Sequence, residues 1–354
     1  MNKLKTRSTI VTMSDVAKQA GVSQSTASFV LNDRQVDMRI SEGTRQRVLG
    51  AAQELGYQRN ELARAVGSGK NFVLGFAKED HIGELEWRIL DGVLKTATDA
   101  GYLLKVLSHD RTDEGYRTLA RHCVQHRLAG LITRSHITAD GTEVLRMDLK
   151  AAGVPIVLVD DILDLPETTC VASDDKLGCR LAVEHLTGLG HRDIAILAGD
   201  SIHPQSIFRT NWYLNFLGDH GISVRPEWIQ VCNWDIVRVE AQTRALFKGS
   251  GGGPTAIICG GDVLAAGVLR VLYELGLRVP QDVSVIGYSD FTFSKLLCPP
   301  LTTIAQPYEE IGSAATQRML GLLQNKGRID SNPWQMLLPT KLVVRGSTGP
   351  VRTN

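Results

Sequence analysis

No CxxC pair occurs in this chain. Its six cysteines, Cys123, Cys170, Cys179, Cys232, Cys259 and Cys298, stand far apart, without histidines at ligand-like spacing. That excludes a zinc ribbon, a redox dithiol and a disulfide framework, so no metal and no cofactor is expected. Most of these thiols lie in apolar runs such as TAIICGG, where a free cysteine acts as a small hydrophobe. No apolar run reaches the length that spans a bilayer, and the opening MNKLKTRSTIVTM lacks the apolar core of a secretory signal; no membrane partner is expected, and the reducing cytoplasm fits best. A phosphate loop is missing too. GSGGGP (Gly249 to Pro254) has no Lys-Ser/Thr, and before GSGK the place of the first glycine is taken by Arg64, with Asn71 after Lys70. Catalytic sets are equally scarce. Asp160 and Asp161 are neighbours, but adjacent strand residues point to opposite faces and flank one bond poorly. An enzyme is not expected.

Net charge is nearly absent at +1, but it is unevenly spread. Residues 1–70 carry eleven Lys/Arg against six Asp/Glu, and the remainder carries 28 against 32. A basic front on a mildly acidic body suits a polyanion-binding module fused to a neutral partner domain; chance clustering on a solvated face would give the same balance. The 354 residues exceed one ordinary core and predict two or three domains.

Three short helices open the chain. Thr12 is placed to cap the first, with Asp15 three positions on, and Val16, Ala17 and Ala20 form its apolar stripe before Gly21. Ser23 caps the second, whose buried side is Ala27, Val30 and Leu31. Ser41 starts the third, with Val48, Leu49, Ala52 and Leu55 at helical spacing. NELARAV (Asn60 to Val66) is a fourth helical piece, followed by a glycine linker. From Phe72 the texture changes. Apolar strand-like runs (FVLGFA, AGLITR, PIVLVD, DIAILAG, DVSVIGYSD) alternate with amphipathic helical segments, the mark of parallel sheets covered on both faces. Their extent predicts two α/β lobes, and ligands on such sheets bind beyond the carboxyl ends of strands, which directs attention to Asp160, Gly261, Asp262, Ser289 and Asp290.

Two short helices joined by a glycine-bearing turn are the helix-turn-helix pattern. The second presents Gln24, Ser25, Ser28 and Phe29 away from its apolar side. Short polar side chains let a helix lie close in the major groove, where Gln pairs with adenine edges; Ser23, Thr26 and Asn32 suit the flanking phosphates. On spacing alone, a solvated helical hairpin fits equally well. The stretch MSDVAKQAGVSQSTASFVLND, continued by ISEGTRQRVLGAAQELGY and NELARAV, resembles the DNA-binding head of the lactose repressor (LacI/GalR) family. The similarity runs on through GVPIVLVDD, LGHRDIAILAG, TAIICGGDVLAAGVLRVLYELGLRVPQDVSVIGYSD and PPLTTIAQP, covering nearly the whole chain.

That resemblance implies an all-α helix-turn-helix head over 1–58, a hinge helix and linker over 59–70, and an effector-binding and dimerisation core over 71–354. The core would be like the periplasmic sugar-binding proteins, with two doubly wound parallel-sheet lobes. Its N-lobe would take about 71–172 and 307–335, and its C-lobe about 173–303 and 338–348. The function implied is a homodimeric transcriptional repressor that binds a pseudo-palindromic operator on double-stranded DNA and is controlled by a small-molecule effector between the lobes.

Gln24, Ser25 and Phe29 fall on the family's main base-reading positions; the Phe29 ring, unable to donate to guanine, is expected on a thymine methyl or sugar. Asn60, Arg64 and Val66 fall on the hinge helix, where Val66 stands in place of a minor-groove Leu wedge and Arg59 replaces a common Pro. In the cleft, Arg209 matches the family's ligand-binding arginine and Trp234 its aromatic plate, while Asp160 and Asp262 match cleft-facing positions. Glu79, Asp80, Arg134 and Gln306 join the candidate set. GYSD departs from the family's GYDD or GYDN, placing Ser289 where an effector-binding carboxylate is common and leaving Asp290 to turn inward or not. A sugar or sugar derivative is the expected effector, since carboxylates and an arginine beside an aromatic plate suit a polyhydroxylated ring. Alternatives are a purine or nucleoside, or a transport-type sugar-binding role. GSTGPVRTN carries no heptad run, so a dimer rather than a tetramer is expected.

Overall fold

The computed structural model describes residues 11–31, 40–57, 71–79, 83–110, 112–134, 139–160, 168–200, 204–248, 252–324 and 334–352. Two units emerge, Met1–Asn71 and Phe72–Asn354.

The first unit holds α1 (Met13–Ala20), α2 (Gln24–Leu31) and α3 (Glu42–Glu54). Helices this short are marginal alone, and their ends show how they persist. The Thr12 amide donates to Asp15 Oδ2 at 2.8 Å while the Asp15 amide donates back to Thr12 Oγ1 at 3.4 Å, a reciprocal capping box. Gly21, at φ 65°, ends α1 in a left-handed turn that a side chain would oppose. Ser23 and Ser41 cap the next two helices through the amides of Thr26 and Thr44. Val16, Ala17, Ala20, Ala27, Val30, Leu31, Val48 and Ala51 form the buried cluster. One expectation fails here: Leu49 is 37% exposed and Ala51 takes the central place. The buried row of α3 runs Val48, Ala51, Ala52, Leu55, and Leu49 sits about 100° off it.

In the second unit the chain runs β1 (Val73–Glu79), α4 (Glu84–Asp99), β2 (Leu103–His109), α5 (Asp113–Gln125), β3 (Gly130–Arg134), α6 (Ala139–Ala151), β4 (Ile156–Val159) and β5 (Thr169–Ser173). It continues with α7 (Asp175–Gly188), β6 (Ile194–Ala198), α8 (Pro204–Asp219), β7 (Ile229–Val231), α9 (Ile236–Leu246), β8 (Ala256–Cys259), α10 (Asp262–Glu274) and β9 (Ser284–Ser289). Then come β10 (Thr302–Ala305), α11 (Tyr308–Gln324), β11 (Trp334–Leu338) and β12 (Lys341–Val343). One sheet has the order β11-β5-β4-β3-β1-β2, with all neighbours parallel. The other has the order β12-β10-β9-β8-β6-β7, parallel except for β12, which runs antiparallel at one edge. Strands such as IAILA and AIIC are apolar throughout, and GLITR is apolar up to Thr133 and Arg134 at its carboxyl end, because helices cover both faces. On the first sheet α4 and α11 bury Ile89, Val93, Ile311 and Met319 on one side, and α5 and α6 bury Leu119 and Leu149 on the other. α7 and α8 oppose α9 and α10 across the second sheet in the same way. Burial pushes the thiols of Cys123 and Cys232 up to about 12 and about 11, so they serve as packing groups.

Three segments cross between the lobes, and hydrogen bonds tie them together. Gln306 Nε2 donates to Ser173 Oγ at 2.8 Å, the Asp174 amide to Leu338 O at 2.7 Å, and Thr340 Oγ1 to Asp174 O at 3.0 Å. The strands' carboxyl ends therefore converge on one cleft.

Candidate functional site

The helical repeat that buries Ala27, Val30 and Leu31 turns the opposite arc of α2 outward. Gln24 and Ser25 are exposed on it, and Ser28 and Phe29 are half-exposed. Ser23 Oγ lies 2.8 Å from both Ser25 Oγ and Thr26 Oγ1, which fixes the hydroxyl-rich entry to the helix. Phe29 lies outside the buried cluster. Asn32, Asn60, Arg64 and Val66 lie outside the described residues.

The cleft encloses about 440 Å³. Arg134, Asp160, Arg209 and Trp234 line it, together with Asp262, Ser289 and Gln306. Arg209, on α8, donates from Nε to Asp175 Oδ2 at 2.7 Å, and its guanidinium lies 4.1 Å over the Tyr288 ring. Tyr288 in turn donates to Asp175 Oδ1 at 2.8 Å. Burial works against the charge on Arg209, but the Asp175 carboxylate, together with Tyr288 and Tyr308, outweighs it and raises the pKa. Arg134, at the end of β3, bonds Glu86 and sits 3.0 Å from Asp160 Oδ2. Burial pushes the Glu86 carboxyl up; Arg134 and the Gly83 amide outweigh it, holding Glu86 below its ordinary value.

Trp234, 43% exposed, donates from Nε1 to Asp200 Oδ2 at 2.9 Å. A Cβ at Gly199 or Gly261 would collide with its ring, so the two glycines leave the slot in which the plate lies. Asp160 (φ 62°), Trp234 (φ 55°) and Ser289 (φ 125°), which line the cleft, and the adjoining Asp290 (φ 53°) adopt left-handed backbone, a concentration of strain beside the cleft.

Two expectations change. Asp290 does not line the cleft; its carboxylate pairs with Arg345 Nη2 at 2.6 Å, so it does not replace the carboxylate missing at Ser289. Asp262 lines the cleft but is fully buried, receiving Thr303 Oγ1 and Ser294 Oγ at 2.6 Å and the Phe291 amide at 2.9 Å. Burial pushes its pKa up, and it braces the segment after β9. Glu79 belongs to β1, and Asp80 lies outside the described residues. Sequence reasoning missed Glu84, Glu86, Gln205 and Ser206, and the aromatic wall of Phe291 and Phe293. Glu86 alone carried a signal, the capping-box spacing from Gly83.

Comparison with known proteins covers both units. The family model described as bacterial regulatory proteins, lacI family, matches residues 12–60, and a periplasmic binding protein-like domain matches 183–348. The lactose operon repressor of Escherichia coli (strain K12) is 30% identical over 339 residues, 96% of this chain and 91% of that protein. The transcriptional regulator MalR of Streptomyces coelicolor is 31% identical over 342 residues, 95% and 96% of the two chains. Among solved structures, the lac repressor dimer bound to operator and the anti-inducer ONPF matches with a TM-score of 0.83 at 29% identity, covering 96% of this chain and 99% of that one. A complex of the regulator CelR with cellobiose matches at 0.69 and 26% identity, covering 95% and 99%.

Proposed function

This chain belongs to the LacI family of bacterial regulatory proteins, and from that premise we propose that it is a homodimeric repressor whose α2 reads an operator and whose cleft holds the controlling effector. Gln24, Ser25, Ser28 and Phe29 face the base edges, with Ser23 and Thr26 on phosphates. Asn32 joins those phosphate contacts, and Asn60, Arg64 and Val66 act from the hinge. Two heads are needed because one small head makes too few contacts, and a two-fold pair reads a pseudo-palindrome.

The observation that carries this reading is the outer arc of α2, where Gln24, Ser25, Ser28 and Phe29 lie outside the head's buried cluster while the inner arc is wholly apolar. The effector is a sugar or sugar derivative: Arg209, Asp160 and Ser289 supply directional hydrogen bonds beside the Trp234 plate. A purine base is the second reading, favoured by PurR repressors among the relatives and by the aromatic wall of Phe291 and Phe293. Effector binding shifts the lobe arrangement and thereby the population of dimers able to dock on DNA. The relatives are transcriptional regulators, and we assign this chain binding rather than catalysis, in the cytoplasm. No helix among the described residues is long and apolar enough to cross a membrane.

Gel shifts on pseudo-palindromic duplexes at low salt test the DNA reading; a protein that cannot distinguish an operator-like duplex from random sequence overturns it. Calorimetry with sugar and nucleoside panels on wild type and Arg209→Ala tests the cleft. Equal affinities in the two proteins remove Arg209 from the site.

A further inference from the structure

We infer that the cleft selects an electrically neutral effector and rejects anionic ones, because Asp175, one layer behind the wall, cancels the charge of Arg209. This rests on the reading of the cleft as the effector site. An arginine in a ligand pocket ordinarily suggests an anion, since its fork matches phosphate or carboxylate. Here both arginines are already answered. Arg134 faces two carboxylates, Glu86 and Asp160, the latter at 3.0 Å. Arg209 faces Asp175 at 2.7 Å, with both side chains at most one-tenth exposed. Two further acids stand at the cleft with no cation on them among the described residues: Glu84 accepts the Thr292 amide and hydroxyl at 2.8 Å, and Asp262 accepts two hydroxyls and an amide.

The local balance is therefore negative. An added phosphate or carboxylate would be repelled by that balance. Neutral polyols meet no such barrier. They receive N–H donors from Arg209, whose hydrogen-bonding edge survives the cancellation of its charge, and they donate to the carboxylates. The cleft thus reads hydroxyl groups and discriminates against sugar phosphates, uronates and nucleotides. Asp175 is a positioning residue, which sets what Arg209 can bind without touching the ligand.

The test uses the full chain and tryptophan fluorescence. All five tryptophans, Trp87, Trp212, Trp228, Trp234 and Trp334, lie beyond residue 71, so phosphate on the basic head is not read. Inorganic phosphate, glucose 6-phosphate and glucuronate are titrated against wild type and Asp175→Asn, with methyl glucoside as the neutral counterpart. Wild type should show no saturable response to the three anions below about 10 mM, and Asp175→Asn should gain one at least tenfold tighter, because an uncancelled guanidinium then faces the cleft. Should Asp175→Asn fold poorly, Glu86→Gln relieves Arg134 of one carboxylate and should show a smaller gain in the same direction.

Wild type binding glucose 6-phosphate or glucuronate more tightly than methyl glucoside overturns the inference, as does a folded Asp175→Asn with no gain. An anionic sugar that both binds wild type and shifts operator affinity would refute neutrality while leaving the effector reading intact. Anion capture by Asp175→Asn that never moves operator affinity would support neutrality and sink the effector reading.

Discussion

Among the described residues of the head, the eight buried side chains are all apolar and four of them are alanine. The core also buries Asp160, Asp175, Arg209, His191 and Gln306, each bonded to other buried or half-buried groups. The contrast follows from size. A head of about 50 residues sits near the lower limit for independent folding and has no interior in which to satisfy a charge, so its polar groups remain outside, where DNA can use them. The core is large enough to shield a polar network and can therefore present a preorganised cleft. Removing a polar group should accordingly cost the head binding and cost the core stability.

The largest effect should come from Asp175→Ala. It leaves Arg209 buried without its carboxylate, and loss of one partner of a shielded pair costs about 3–5 kcal/mol. Urea unfolding followed by tryptophan fluorescence reads the core directly, and a loss under about 1 kcal/mol would place the pair with solvent-screened surface pairs. In the head, Gln24→Ala should weaken operator binding by about 1–3 kcal/mol and leave the head's melting temperature unchanged. A fall in melting temperature without loss of operator affinity would break the comparison at that helix. Thr12→Ala lies between these cases. It removes the α1 capping box and should destabilise the head by about 1 kcal/mol, seen by circular dichroism, with no change in the core transition.

The same contrast explains how much could be read in the sequence. The outward arc of α2 was legible because a helix's faces are set locally: Ala27, Val30 and Leu31 fix one side, and Gln24, Ser25, Ser28 and Phe29 follow on the other. The two lobes were legible as well, since apolar strand runs alternate with helices along the chain. Side-chain commitments inside the cleft were not. Asp290 is held by Arg345, 55 residues further on, and nothing near the GYSD run indicates it. Asp262 lines the cleft, but the Ser294 and Thr303 hydroxyls that hold its carboxylate stand 32 and 41 residues further on. Glu86 showed its helix-capping role at short range, whereas its partnership with Arg134 spans 48 residues. Leu49 is an error of another kind, one residue of helical phase in a helix whose apolar row is narrow.

The smallest effect expected is a pH dependence confined to the core. His191 Nε2 lies 3.0 Å from the Gly349 carbonyl, which only accepts, so that nitrogen carries the proton, and Nδ1 faces Thr255 Oγ1 at 3.0 Å. Burial lowers the pKa of His191 below its ordinary 6.5, more than the Gly349 carbonyl raises it, and burial also lowers that of His185. Both are thus held neutral in the fold and protonate more readily in the unfolded chain. The stability they confer is complete above about pH 6.5 and is lost as pH falls from there through the folded pKa values. Urea midpoints at pH 7.5 and pH 5.5 should therefore show the core weakening, by no more than ~1.4 kcal/mol per pH unit for each histidine. All nine histidines lie beyond residue 71, so the head should be indifferent over this range. His191→Gln should flatten the core's slope. If the head weakens equally, or the slope survives both His191→Gln and His185→Gln, buried neutral imidazoles are not the cause.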